Sequence, residues 1–201
     1  MLLSHNHYDH CDRRTLGRLV ERFDPLVVTP LGNGSLLRSC GFRRVEELDW
    51  WQDAKTSALP ITLTPAQHFS ARTPWDKNLA LWGGFVLTAG GVRIYFAGDT
   101  AYAPFFTEVR QRLGPIDFAL LPIGAYEPRW FMQIIHMNPA EAVQAHLDLG
   151  SAQSVGMHFG TFPMTIEGID DPVRALDEAR RARNVQPSQF RAPGFGESVR
   201  L

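Results

Sequence analysis

Three imidazoles and a carboxylate fall within six residues near the start of the chain, in Ser4-His5-Asn6-His7-Tyr8-Asp9-His10-Cys11-Asp12. Neutral imidazole nitrogen and carboxylate oxygen suit zinc and similar divalent cations. A lone histidine is ordinarily structural, but this density in one short H-x-H-x-D-H loop points to metal. In extended chain, residues two apart point the same way, so His5 and His7 can share one cation. Asp9 and His10 follow as the chain turns into a helix and can face a second cation beside the first. Four ligands do not close two metal sites, so later residues must complete them.

Three later positions fit, each at the end of a strand-like run. Residues 59–64 read as a strand that runs into Pro65-Ala66-Gln67-His68, and His68 offers the first cation its third nitrogen. Residues 79–88 and 92–97 read as two strands of a hairpin joined at Ala89-Gly90-Gly91. The second ends in Gly98-Asp99-Thr100, where a carboxylate flanked by glycine can reach between two cations with its two oxygens. Asp99 is thus the bridging candidate; its alternative role is the N-cap of a helix over 104–113. Residues 154–158 form a strand ending on His158, the last nitrogen for the second cation. His136 stands just before a well-formed helix start, Asn138-Pro139-Ala140-Glu141, with N-cap, Pro at N1 and a carboxylate at N3. There it either points toward a site or packs. His146, mid-helix beside the Val143/Leu147 face, reads as structural. In the loop over 123–132, Arg129 beside Trp130 and Phe131 either serves an anionic group with an apolar tail or belongs to a core-packing loop.

The elements that must position these groups can be read around them. Met1-Leu2-Leu3 looks like the end of a strand delivering the metal loop. Leu16, Leu19, Val20 and Phe23 follow the i, i+3, i+4, i+7 rule for one helix face. Residues 26–29 form a strand closed by Pro30 and Gly32-Asn33-Gly34, and 35–40 a short helix stopped by Gly41. Strand is expected around 45–48 and at Trp50-Trp51, then over 116–122. Gly150 ends the helix begun at Asn138. Asp171-Pro172 caps a last helix with Val173, Leu176 and Ala179 inward, before a short strand near Phe190. Alternating strands and helices argue for α/β layers, in a single domain over residues 1–201.

Composition excludes several classes. The chain has 201 residues, 44% of them hydrophobic and 20% charged, ordinary for a globular domain with a real core. A net charge of −1 without a basic run gives no support to nucleic-acid binding. Cys11 and Cys40 are too few for a disulfide framework and fit a reducing compartment. No apolar run approaches membrane-spanning length and no charged-then-apolar leader precedes the metal loop, so the chain reads as cytoplasmic.

The pattern H-x-H-x-D-H, a later His, an Asp in G-D-T and a last His resembles the metallo-β-lactamase superfamily, whose fold is an αββα sandwich. Ser4 through His10, Gln67-His68, Phe96-Ala97-Gly98-Asp99-Thr100, Pro122 through Met132 (PIGAYEPRWFM) and His158-Phe159-Gly160-Thr161-Phe162 resemble the N-acyl-phosphatidylethanolamine-hydrolysing phospholipase D family and its bacterial relatives. The resemblance covers essentially the whole chain. It implies two Zn2+, or other divalent transition metals such as Mn or Fe. His5, His7 and His68 would hold one, Asp9, His10 and His158 the other, with Asp99 bridging. It also implies that His136 lies close to the substrate phosphate and that Asp9, Asp99 and His136 are the catalytic residues. Cations about 3.5–4 Å apart would make a hydroxide available near neutral pH for in-line attack at phosphorus. The implied substrate is an N-acyl-phosphatidylethanolamine-like phospholipid, with apolar Trp130, Phe131 and Met132 suited to peripheral membrane contact. Alternatives are a lactone or other ester hydrolase of the same fold, and a non-catalytic truncated remnant. Family members carry core strands before the metal loop, whereas four residues precede His5 here. The expectation is an N-terminally incomplete sandwich: either a fragment, or a chain with a misassigned start, or one whose open edge a partner, such as a second copy of the chain, would cover.

Overall fold

The computed structural model describes residues 1–199. It divides into two compact units, one made of residues 1–65 and 69–88, the other of 66–68 and 89 onward.

The first unit begins as Leu2 bridges in parallel to Val28, which delivers the H-x-H-x-D-H loop from a sheet edge. Asp12 then caps helix α1 (Arg13–Phe23), accepting the Thr15 backbone N–H at 2.8 Å and its hydroxyl at 2.6 Å. Those bonds, the side-chain one foremost, hold the Asp12 carboxyl below the usual carboxylate range. Strand β1 (Val27–Pro30), helix α2 (Gly34–Ser39) and strand β2 (Val45–Leu48) follow, with β1 and β2 parallel in the register Val27↔Val45. Leu3, Cys11, Leu16, Val27, Leu37 and Phe42 form one buried cluster, so the loop is rooted in apolar packing at both ends. Strands β3 (Ile61–Thr64) and β4 (Gly84–Ala89) pair antiparallel.

Three expectations fail here. Phe23 is exposed, its ring under the Arg22 guanidinium, because α1 ends in a left-handed Asp24 before the apolar face completes another turn. Trp50-Trp51 is a turn, with Trp51 at φ 67° and the Trp50 indole donating to the Trp82 carbonyl. The strand expected over 79–88 begins only at Gly84, since Leu79 is exposed and Leu81 donates to the Leu31 carbonyl instead of a ladder.

The second unit is a run of parallel strands connected by helices. Strand β5 (Val92–Phe96), helix α3 (Phe105–Leu113), strand β6 (Phe118–Pro122), the short helix α4 (Arg129–Met132), helix α5 (Pro139–Leu149), strand β7 (Gln153–Met157), helix α6 (Asp171–Ala182) and strand β8 (Phe190–Arg191) occur in that order. The strands lie β5-β6-β7-β8, all parallel. Parallel strands need helical crossovers, and α3, α5 and α6 supply them. The α5 start is as expected: Asn138 accepts from the Glu141 N–H at 2.8 Å and Glu141 returns a bond to the Asn138 N–H at 2.9 Å, a full capping box. Gly150 closes that helix in the left-handed conformation. The last helix places Leu176 inward as expected, but its cap position is Asp170; Asp171 instead accepts the Gly168 N–H.

Candidate metal centre

In the first unit, His5, His7, Asp9 and His10 sit on one tight turn. The His10 and Cys11 N–H groups both donate to the His7 carbonyl, at 3.2 and 2.8 Å. His5 Nε2 and His7 Nδ1 lie 3.0 Å apart, the His5 and His10 ring centroids 4.4 Å apart, and Asp9 Oδ2 is 3.1 Å from His10 Nε2. Ser4 Oγ is 3.0 Å from the other His5 nitrogen, fixing that ring from behind. His5 is buried. Burial pushes the Cys11 thiol up, while the Arg72 guanidinium beside it works the other way.

In the second unit, the donors gather where parallel strands end, the position at which α/β sheets bind ligands. β5 runs out through Gly98 at φ 64°, a turn that a side chain would strain, into buried Asp99. β7 runs out into His158, itself at φ 58°, and its Nε2 lies 3.3 Å from Asp99 Oδ2. A Cβ on Gly124, just beyond β6, would stand 2.1 Å from the His158 carbonyl oxygen, so this approach of backbone to backbone requires glycine. His68 Nε2 is 3.9 Å from the same carboxylate oxygen. Its Nδ1 lies 2.9 Å from the Ile135 carbonyl, which can only accept, so Nδ1 carries the proton and Nε2 keeps its lone pair. His136 is buried, with its ring centroid 5.1 Å from His68 and 5.3 Å from His158. His68, Asp99 and His136 each present one ligand atom within 4.8 Å of the others. Imidazole nitrogens and a buried carboxylate converging in this way are a fitting donor set for a divalent transition metal, and a buried carboxylate needs such compensation.

Two sequence alternatives resolve. Asp99 is not the N-cap of α3, where Pro104 occupies that position without a side-chain bond. Arg129 is structural: its Nη2 grips both Glu141 oxygens at 2.9 and 2.8 Å and its Nη1 donates to the His136 carbonyl at 3.0 Å, tying the His136 segment to α5. His146 is structural as expected, with Nδ1 2.8 Å from Ser154 Oγ.

Thr100, which follows Asp99 in G-D-T, helps to assemble this cluster. Its hydroxyl accepts the Gln67 N–H at 2.9 Å and donates to the Ala101 carbonyl at 2.7 Å, while its own carbonyl accepts from Met137 at 3.0 Å. His68, Asp99 and the residue after His136 are thereby tied together. Thr100 is itself fully buried, and nothing adjacent to it in the sequence signals these bonds.

Beside His158 a small cleft, with a cavity volume of about 30 Å³, is lined by Phe159, Phe162, Pro163, Met164 and Ile169 among others. Its rim is pinned by Glu167, which accepts N–H bonds from Ala125, Tyr126 and Glu127 and the Thr165 hydroxyl. Burial acts to raise the Glu167 carboxyl, but these bonds leave it below the usual range; burial and the Glu167 charge push Tyr126 up to about 12.

Histidines and an aspartate gathered beside the ends of parallel strands form an arrangement able to hold a divalent metal. Residues 1–159 match the model of the beta-lactamase superfamily domain, and the chain belongs to that superfamily, in its metallo-β-lactamase branch. It is similar to the N-acyl-phosphatidylethanolamine-hydrolyzing phospholipase D 1 of Caenorhabditis elegans, 36% identical over 98% of this chain and 59% of that protein. It is also similar to a metal-dependent hydrolase of Solibacter usitatus, 30% identical over 84% of this chain and 70% of the other. Among solved structures, Igni18, a metallo hydrolase from Ignicoccus hospitalis, superposes with a TM-score of 0.73 at 24% identity, over 98% of this chain and 77% of that one. The chain has the metallo-β-lactamase fold. It spans about half the length of the curated relatives it matches, 50% in the case of an uncharacterised Mycobacterium tuberculosis protein 42% identical over 92% of this chain. Among the described residues no helix is long and apolar enough to cross a membrane.

Proposed function

We propose that this chain is a phosphodiesterase that cleaves an N-acyl-phosphatidylethanolamine-like phospholipid with two divalent cations, zinc or a related metal. On the family resemblance, His5, His7 and His68 would hold one, Asp9, His10 and His158 the other, and Asp99 would serve both. The observation that supports this reading is the convergence of His68 and His158 on buried Asp99, with His136 beside them. The similarity to the worm phospholipase supports the phosphodiester substrate.

Paired cations supply a water of lowered pKa and offset the charge that develops on phosphorus. The protein's own groups do the rest. Asp9 and Asp99 orient the attacking oxygen as hydrogen-bond acceptors, and Asp99 is held for this by the backbone turn at Gly98. His136 holds a phosphate oxygen or passes a proton to the leaving oxygen, its main chain fixed by Arg129. Trp130 and Phe131, both exposed, rest against a lipid surface, whereas Met132, expected beside them, is buried and takes no part. The free thiols Cys11 and Cys40 support a cytoplasmic setting, where that lipid surface would be a cytoplasmic leaflet.

The test is metal content of protein purified without chelator, followed by turnover on vesicles of N-acyl-phosphatidylethanolamine and on a lactone panel. About two divalent ions per chain and release of phosphatidic acid from the vesicles are expected. Lactone turnover alone would replace the phosphodiester reading with ester hydrolysis, and bound metal with no turnover of either would leave a binding remnant.

A further inference from the structure

The segment that follows His68 lies against the metal loop. Arg72 Nη1 donates to two carbonyls of that loop, Asn6 at 2.8 Å and Cys11 at 2.9 Å. Its guanidinium lies over the Tyr8 ring, 4.1 Å from the centroid, and the Tyr8 hydroxyl returns a 2.9 Å bond to the Arg72 carbonyl. One side chain therefore grips the loop on both sides of His7, Asp9 and His10 and stacks on the tyrosine between them. Phe69 from the same segment packs edge-on against the His7 ring, centroids 4.4 Å apart.

The strap is itself held in shape. Asp76 accepts the Arg72 and Thr73 N–H groups at 2.9 and 2.7 Å, and these bonds keep its carboxyl below the usual range. Ser70 is fully buried, with its hydroxyl on the Ala80 carbonyl at 2.5 Å, and Asn78 donates back to the Ser70 carbonyl at 2.8 Å. A turn built from its own hydrogen bonds presents Arg72 in one orientation.

From this geometry we propose that Arg72 is a positioning residue. Together with Tyr8 it staples the H-x-H-x-D-H loop in its ligating conformation and thereby sets how fast metal leaves. Partners that orient metal ligands without touching metal typically matter by about 10–100-fold in affinity. Arginine suits the task because its planar group can stack on an aromatic face while its N–H atoms meet carbonyls, whereas a lysine ammonium offers a compact point charge without that plane. The inference rests on reading the loop residues as metal ligands.

The test is the rate at which Co2+-loaded protein loses metal to excess EDTA, followed by the visible Co2+ spectrum, for wild type, R72K, R72A and Y8F. Urea unfolding of each metal-stripped variant runs in parallel. R72K is expected to release metal about 10–100-fold faster than wild type with an altered spectrum, and R72A at least as fast. Y8F keeps the stacked ring and loses one bond, so a few-fold acceleration is expected. R72K or Y8F folded as wild type and releasing metal at the wild-type rate with an unchanged spectrum would overturn the proposal, and those two variants decide it where R72A fails to fold. Wild type that takes up no Co2+ would overturn the metal reading of the loop itself, and the staple with it. That failure is distinct from a metal-binding wild type with an insensitive R72K.

Discussion

The two donor groups are held in opposite ways. His5, His7, Asp9 and His10 share one turn whose amides bond to a single carbonyl, that of His7, and whose outer side depends on one side chain, Arg72. Asp99 and His158 instead stand immediately beyond paired parallel strands, with His68 tied to them through Thr100. The first arrangement concentrates ligands but leaves their directions to side-chain contacts. The second spreads ligands along the chain and fixes each with main-chain bonds. Precision in the loop is therefore a property of a few replaceable contacts, whereas precision at the strand ends comes with the fold.

The largest expected effect is at the strand-end group. Replacing Asp99 with Asn keeps its volume and removes the charge that draws the cation. Metal content and turnover should fall together, beyond the roughly 10–100-fold typical of outer partners. Two metals still bound, with full turnover, would refute the bridging role. Gly124→Ala comes next. Its Cβ would meet the His158 carbonyl at 2.1 Å, and backbone cannot yield as a side-chain tip does. Overpacking of this kind costs about 1–3 kcal/mol, readable by urea unfolding, and should displace His158 and weaken metal binding as well. Wild-type stability and affinity would mean the loop beyond β6 is free to move aside.

A gentler probe compares the groups directly by amide hydrogen exchange with and without chelator. The His10 and Cys11 amides, bonded within the loop, should lose protection by about tenfold or more on stripping, as locally stabilised segments do. Ala97, bonded to the Leu120 carbonyl, should change far less. Equal changes at both would erase the distinction between them.

The same contrast explains what could be read from the sequence. A loop with four ligands in six residues announces itself, because its chemistry is written in adjacent letters. Asp99, His68 and His158 were legible because each follows an apolar run that had to be a strand. The capping box at Asn138 was legible because its bonds join residues three apart. Arg72 and Thr100 were not, since their bonds reach to Asn6, Cys11 and Gln67 and nothing local distinguishes an arginine in a polar loop. Arg129 carries no local signal for the same reason, its Glu141 partner lying twelve residues on. Element existence outran element edges: β4 was anticipated but begins at Gly84, after a stretch whose backbone bonds go elsewhere.

The smallest expected effect separates a structural histidine from the ligating ones. His146 is buried on α5 against Ser154 and the Phe190 ring, and burial lowers its pKa from the ordinary 6.5. Between that lowered value and 6.5 the unfolded chain holds the proton and the folded chain does not. Stability then rises with pH through this window, is complete above about 6.5, and is lost as pH falls through the folded value. One proton contributes at most about 1.4 kcal/mol per pH unit. Urea unfolding of stripped wild type and H146N between pH 5 and pH 8 should therefore show a shallower slope for the variant below about pH 6.5, with the other histidines cancelling in the difference. Identical slopes would mean that His146 is protonated in the folded state too, and that the Ser154 contact accommodates an imidazolium.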